Sequence, residues 1–259
     1  MPEALCGCGS RYGAVMVDES AAESEQQDGT IHVALDESFR PLICVGATVA
    51  ETEFTTVNTS ISQLYTELTS HSWMADLESF QSFTKDGFHL SNDSMEISNR
   101  FVSFLAHAIG FNSFIYFSEN SDVSKNKTTL LLYRELIRTV LQKYRSRPLI
   151  NLYFEQNPEL DRYFSRLVAH SLKSVRRPKP EIQVLIRPKM DPPLLSVCDY
   201  TMLTFARWYK GYYSCEPQSQ SSTDFTWRNF NALRRSISLI HSLEHGTLSR
   251  RSLPFTPIL

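Results

Sequence analysis

No apolar run in this sequence approaches the roughly 18–20 residues that a membrane-spanning helix requires, so no membrane association is expected. The N-terminal MPEALCGCGSRYG has no positive start followed by an apolar stretch, so a secretory signal is not expected either. Cysteines are few and odd in number: of the five, Cys44, Cys198 and Cys215 are widely spread. That is no disulfide framework, and a reducing cytoplasm is the expected compartment. Cys6 and Cys8 form a lone C-x-C without the two further ligands a metal site would need. The formal net charge is only −2, so composition by itself gives no sign of nucleic-acid binding, and any basic surface has to be local. No internal repeat is visible.

What is present suits one large α/β domain with extensions: 259 residues, 42% of them hydrophobic. Residues 1–30 are small, polar and acidic and read as a mobile extension. IHVALDES and PLICVGATVA follow one another closely as a strand pair. Residues 57–110 read as a helical insertion, with Ile61, Leu64, Tyr65 and Leu68 on one stripe and Met95, Ile97, Phe101, Val102 and Leu105 on another. FNSFIYFS is a third strand. LINLYFE and EIQVLIR are the fourth and fifth, separated by helices; Leu130, Tyr133, Ile137, Val140, Leu141 and Tyr144 form the stripe of the first. The last helix is DPPLLSVCDYTMLTFARWYK, with Asp191 as its N-cap and Pro192 at its first position. The pattern predicts a mixed five-stranded sheet flanked by helices over residues 31–213, with the insertion between strands 2 and 3. A Ser-rich linker (214–224) and a C-terminal amphipathic helix and tail (225–259) complete the chain; Leu233, Ile237, Ile240 and Leu243 give that helix its apolar stripe. It is the expected surface for any homo-oligomer.

Three carboxylates stand in unusual places. Each helical residue advances by about 100°, which puts Leu195, Met202, Leu203 and Ala206 within about 60° of Asp199. Asp199 therefore lies in the middle of an apolar stripe, where a carboxylate needs a metal, a cationic partner or a raised pKa. Asp36 and Glu155 each sit at the carboxyl end of a strand, on its less aliphatic face, where open α/β sheets bind ligands. Alone, each reads as a turn residue; a structural ion pair would equally satisfy Asp199. Together the three suit divalent cations, and hard oxygen donors favour Mg²⁺ or Mn²⁺.

HVALDES, LICVGATVA, KDGFHLS, LINLYFEQN and PPLLSVCDYTMLTFARW resemble the bacterial domain of unknown function 3800, over roughly residues 31–210. The resemblance implies an RNase H-like fold. It implies a nuclease that hydrolyses RNA or DNA by a two-metal-ion mechanism, with Asp36, Glu155 and Asp199 as catalytic metal ligands and His89 assisting. A nuclease of this size would suit phage defence or toxin-like RNA cleavage. Phe39 replaces the family's usual glycine and Cys198 precedes Asp199 where alanine is usual, so a catalytically inactive nucleic-acid- or partner-binding module is the alternative.

Other residues carry weaker expectations. Glu37 should point away from Asp36. Glu135 lies about 170° from its helix's apolar stripe and should be solvated. Asp86 and Asp93 flank His89 and suit turn caps. Arg176, Arg177, Lys179, Arg187 and Lys189 bracket the fifth strand and suit contacts to a nucleic-acid backbone. Arg228, Arg234 and Arg235 would extend that surface. Trp208, Tyr212, Tyr213 and Trp227 suit either base stacking or core.

Overall fold

The computed structural model describes residues 29–51, 53–71, 75–108, 110–120, 124–213 and 225–250. The extension before residue 29, with Cys6 and Cys8, and the 214–224 linker, with Cys215, lie outside the described residues. Cys44 and Cys198 are buried free thiols.

The antiparallel pair β1 (Ile31–Ser38) and β2 (Ile43–Ala50) opens the sheet. Three helices follow, α1 (Phe54–Thr69), α2 (Glu78–Asp86) and α3 (Met95–His107), and then β3 (Phe111–Ser118). Strands and helices then alternate: α4 (Lys125–Lys143), β4 (Leu149–Glu155), α5 (Asp161–Lys173), β5 (Glu181–Arg187) and α6 (Leu194–Trp208). α7 (Phe225–Leu233), β6 (Ile237–Ser242) and β7 (Gly246–Arg250) close the described chain. The sheet order is β5-β4-β1-β2-β3-β6-β7.

The expectation of a mixed sheet flanked by helices holds, but among the described residues the sheet has seven strands, not five. The C-terminal helix is shorter than expected, and the correction has a physical cause. Ile237 and Ile240 are three residues apart, a spacing that suits a helix stripe. β3 offers a free edge, however, and Ile237–Ser242 pairs with it in parallel. Leu233, Ile237 and Ile240 are thereby buried in this chain's own core, so they no longer form the stripe assigned to self-association. Trp208 is core as well, stacked on Phe230 at 4.1 Å between ring centroids. Trp227 packs beside it, and the side chains of Tyr212 and Tyr213 lie outside the described residues.

The alternating burial of β4 follows from its sequence. Ile150, Leu152 and Phe154 enter the core beneath α4 and α5, against Tyr133, Leu136, Phe164 and Val168. The opposite face is covered by α6 and the inserted helices. α6 starts at Leu194, later than Asp191 and Pro192 suggested, and is buried on nearly every side. It seats closely on the sheet because β2 has Gly46 beneath it: a Cβ there would lie 2.9 Å from Cys198 Sγ and 3.3 Å from Met202 Cβ. Gly46 pairs with Asp36 across the ladder. The close seat therefore sets the height of Asp199, the next residue after Cys198, relative to Asp36.

Candidate functional site

β1 and β4 are parallel neighbours, with Leu35 registered against Phe154. Asp36 and Glu155 therefore leave the sheet side by side at the carboxyl ends of their strands, and α6 brings Asp199 to them. What the three share is a single cation, the ammonium of Lys189. Its Nζ lies 2.8 Å from Asp36 Oδ2 and 3.5 Å from Asp199 Oδ1, and it donates to Glu155 Oε2. The Lys189 side chain is only 9% exposed, and those of Asp36, Glu155 and Asp199 are 5%, 23% and 3% exposed. Lys189, expected among the basic residues bracketing the fifth strand, is thus buried at the centre of the site.

One ammonium cannot balance three carboxylates. Burial, and then the charge of Asp36, push Glu155 up to about 8 against the attraction of Lys189. The crowding of carboxylates thus favours the protonated form of Glu155. Burial alone would depress Lys189, but the charges of Asp199, Asp36 and Glu155 outweigh it and hold the ammonium well above the ordinary lysine range.

Among the described residues, no three carboxylate, imidazole or thiol groups stand as a ready-made metal shell. The chemistry of the donors nonetheless fits a hard divalent cation. Three carboxylates have oxygens within 3.5 Å of one point, and a cation already stands at that point. A metal ion would be held by Asp36, Glu155 and Asp199 once Lys189 withdrew, and oxygen donors suit Mg²⁺ or Mn²⁺.

His89 reaches the rim of this cluster. Its Nδ1 lies 3.6 Å from Asp199 Oδ2 and 2.9 Å from Ser91 Oγ, with the side chain 30% exposed. Its loop is fixed to α6: Leu90 N–H donates to Asp199 Oδ2 at 2.8 Å, and Arg207 donates to the Leu90 carbonyl at 3.1 Å. Asp93 accepts from His89 N–H at 2.9 Å and from the Tyr200 hydroxyl. Burial pushes Asp93 up to about 7. Asp93 thus tethers the loop, as a turn cap would. Gly87 (φ +76°) leaves the loop no room for a Cβ, which would meet Met190 Cγ at 2.2 Å. The His89 loop and the Lys189 turn are consequently in contact.

Glu37 points to the other face, as the alternation requires. Its carboxylate accepts from the Tyr133 hydroxyl and from Asn157 Nδ2, both at 2.5 Å. Burial, and then the charge of Asp36, push it up to about 7. A carboxyl raised from 4.5 to about 7 contributes stability that is full below the unfolded pKa and lost as pH rises through the folded one. Glu37→Gln is therefore expected to match the parent near pH 4 and exceed its stability by about 3 kcal/mol at pH 8.5. Urea unfolding at the two pH values measures this; a difference that does not change with pH would disprove it.

An open cleft of about 380 Å³ lies over the cluster, bounded by Asp36, Glu155, Asp199, Lys189, His89 and the exposed Arg40. Glu135 is absent from it and pairs with Arg134 and Arg138. The remaining basic candidates do not form one patch with the cleft. Arg187 is registered against Glu155 at the cleft end of β5, whereas Arg176, Arg177 and Lys179 precede the strand's other end, roughly 20 Å away at the rise of a β-strand. Arg228, Arg234 and Arg235 are exposed on α7 and the turn after it.

The central lysine and the Glu37–Tyr133–Asn157 network are the parts of the site that sequence reasoning missed. The one signal for Lys189 was its place: two residues past the carboxyl end of β5, at the same end of the sheet as Asp36 and Glu155.

No protein-family model matches the sequence, and no curated protein matches it. Among solved structures, the chain is similar to the PCNA:RNase HII complex from Archaeoglobus fulgidus, at 11% identity and a TM-score of 0.36, covering 76% of this chain and 85% of that one. A likeness this low carries no argument about fold or activity.

Proposed function

We propose that this chain is an RNase H-like nuclease of the domain of unknown function 3800 type, hydrolysing phosphodiester bonds of RNA or DNA with Mg²⁺ or Mn²⁺. The observation that carries the reading is the convergence of Asp36, Glu155 and Asp199, distant in sequence, on one cation at the floor of an open cleft. The sheet supports it. In the run β3-β2-β1-β4-β5, only β2 is antiparallel to the rest, and the three-helix insertion lies between β2 and β3.

In this reading Asp36, Glu155 and Asp199 would hold the metal. Two bound metal ions would supply activation of a water and charge stabilisation at the leaving oxygen. The chain's own residues do the rest. The Leu90 N–H fixes the orientation of Asp199. His89, at the exposed rim, is placed to give or accept a proton at an oxygen of the reacting phosphate. Lys189, once it leaves the carboxylates, offers its ammonium to that phosphate.

Calorimetric titration with Mn²⁺ tests the proposal. The parent is expected to bind, and Glu155→Ala to lose at least about tenfold in affinity; no binding, or binding indifferent to the substitution, would overturn it. The second reading is an inert nucleic-acid-binding module with the same fold. It rests on the same ammonium, which already neutralises part of the cluster without a metal.

A further inference from the structure

A second cavity, of about 570 Å³, opens between the carboxyl ends of α4 and α5. Arg138, Lys143, Arg145 and Arg176 line it, with Gln142 and Ser174, and among the described residues no carboxylate is part of its wall. In a chain whose formal net charge is −2, four cations around one cavity are a local reversal of sign. Gln142 organises two of them: its carbonyl accepts from Arg145 Nη1 at 3.1 Å, and its side-chain oxygen accepts from the Arg176 backbone N–H at 3.0 Å. Cations at helix carboxyl ends are ordinarily explained by the helix dipole. That accounts for Lys143 in the last turn of α4. Arg145, whose Nη1 caps the Gln142 carbonyl in that last turn, is explained in the same way; Arg176, exposed and past the end of α5, is not, and it lines the same cavity. Arg138 is partly neutralised by Glu135 at 2.5 Å, from outside the wall.

The cavity and the carboxylate cleft lie toward opposite ends of β5. β5 is an edge strand, with the exposed side chains of Arg177 and Lys179 before its start and that of Arg187 at its end. We infer that the cavity binds a backbone phosphate of a nucleic acid whose reacting bond lies in the carboxylate cleft, the strand running between them along the β5 edge. This rests on the nucleic-acid part of the proposed function and not on its metal chemistry. β5 alone spans roughly 20 Å, so the path takes in several nucleotides and a dinucleotide cannot cover it.

The test is binding without metal, in EDTA, of a fluorescent single strand of about 20 nucleotides, followed by anisotropy at stepped salt. The double variant Arg145→Gln/Arg176→Gln changes two surface residues outside the cleft. It is expected to weaken binding about tenfold and to lower the salt slope by about one. A dinucleotide, too short to span the path, is expected to bind parent and variant alike. Unchanged affinity for the long strand would overturn the inference. Equal losses for both lengths would also overturn it, by removing the spanning path. Inorganic phosphate competing at the cavity, with long-strand binding unaffected by the variant, would assign the site to a free anion and reject the nucleic-acid role. If Mn²⁺ titration fails while the variant weakens long-strand binding, the cavity's role stands and the cleavage reading falls.

Discussion

Asp36→Asn is expected to reduce Mn²⁺-dependent cleavage of RNA, DNA and hybrid substrates by about 100-fold or more, the scale of losing one group that stabilises transition-state charge. The expectation comes from position. Asp36 is 3% exposed and lies beside Glu155 at the strand ends, beneath Asp199. Asparagine is nearly isosteric, but its neutral oxygen is a poor ligand for a hard cation. The fold should survive the change, since it removes one negative charge from a cluster already in excess of its counterion. The measurement is cleavage of the three substrate types alongside a thermal melt. Equal cleavage by parent and variant would remove Asp36 from the chemistry. Loss of cleavage together with loss of the melting transition would assign the effect to folding instead.

The parts of this arrangement that were legible in the sequence are those fixed by local periodicity. Asp199 was visible because a helix rotates by about 100° per residue, and a carboxylate in the middle of Leu195, Met202, Leu203 and Ala206 cannot face water. Asp36 and Glu155 were visible because strand alternation puts each on a defined face and their strand ends are easy to place. Whether β1 and β4 were neighbours was not legible, because strand order is a property of the whole chain; the parallel pairing supplied it. Lys189 was illegible for a related reason. It lies in a short turn between β5 and α6, where no period constrains its direction, and its charge suits a solvated surface as well as a buried cluster. The seventh strand and its neighbour failed for another cause. Ile237 and Ile240 obey a helical spacing, and only the free edge of β3 decides the competition in favour of a strand. The inserted helices show the reverse. Ile61, Leu68, Ile97, Phe101 and Leu105 all enter the core as their stripes required.

Lys189→Met is expected to produce the largest change in stability, and with an instructive sign. Breaking a buried ion pair by removing one partner costs about 3–5 kcal/mol, because the other charge is left uncompensated. Here three carboxylates would be left, so the metal-free variant should unfold at markedly lower temperature than the parent. Protonation limits the loss. Burial and Asp36 already raise Glu155 against the attraction of Lys189, and losing that attraction raises it further, so the variant's deficit should be larger at pH 9 than at pH 6. Added Mn²⁺ should then reverse the defect. A ligand at a hundredfold excess over its Kd stabilises by about 2.7 kcal/mol, and in the variant it need not displace an ammonium. The variant should therefore bind Mn²⁺ more tightly than the parent and gain more in melting temperature from it. Methionine keeps most of the length of the side chain, so packing against Gly87 through the neighbouring Met190 should be little disturbed. Paired melts of parent and variant, with and without Mn²⁺, separate the outcomes. A destabilised variant that Mn²⁺ rescues means that Lys189 stands where a metal belongs. A destabilised variant that Mn²⁺ leaves unchanged means that the carboxylates exist to hold the lysine, which is the inert reading. An unchanged melt in both conditions would mean that the ammonium is not the counterion of the cluster at all.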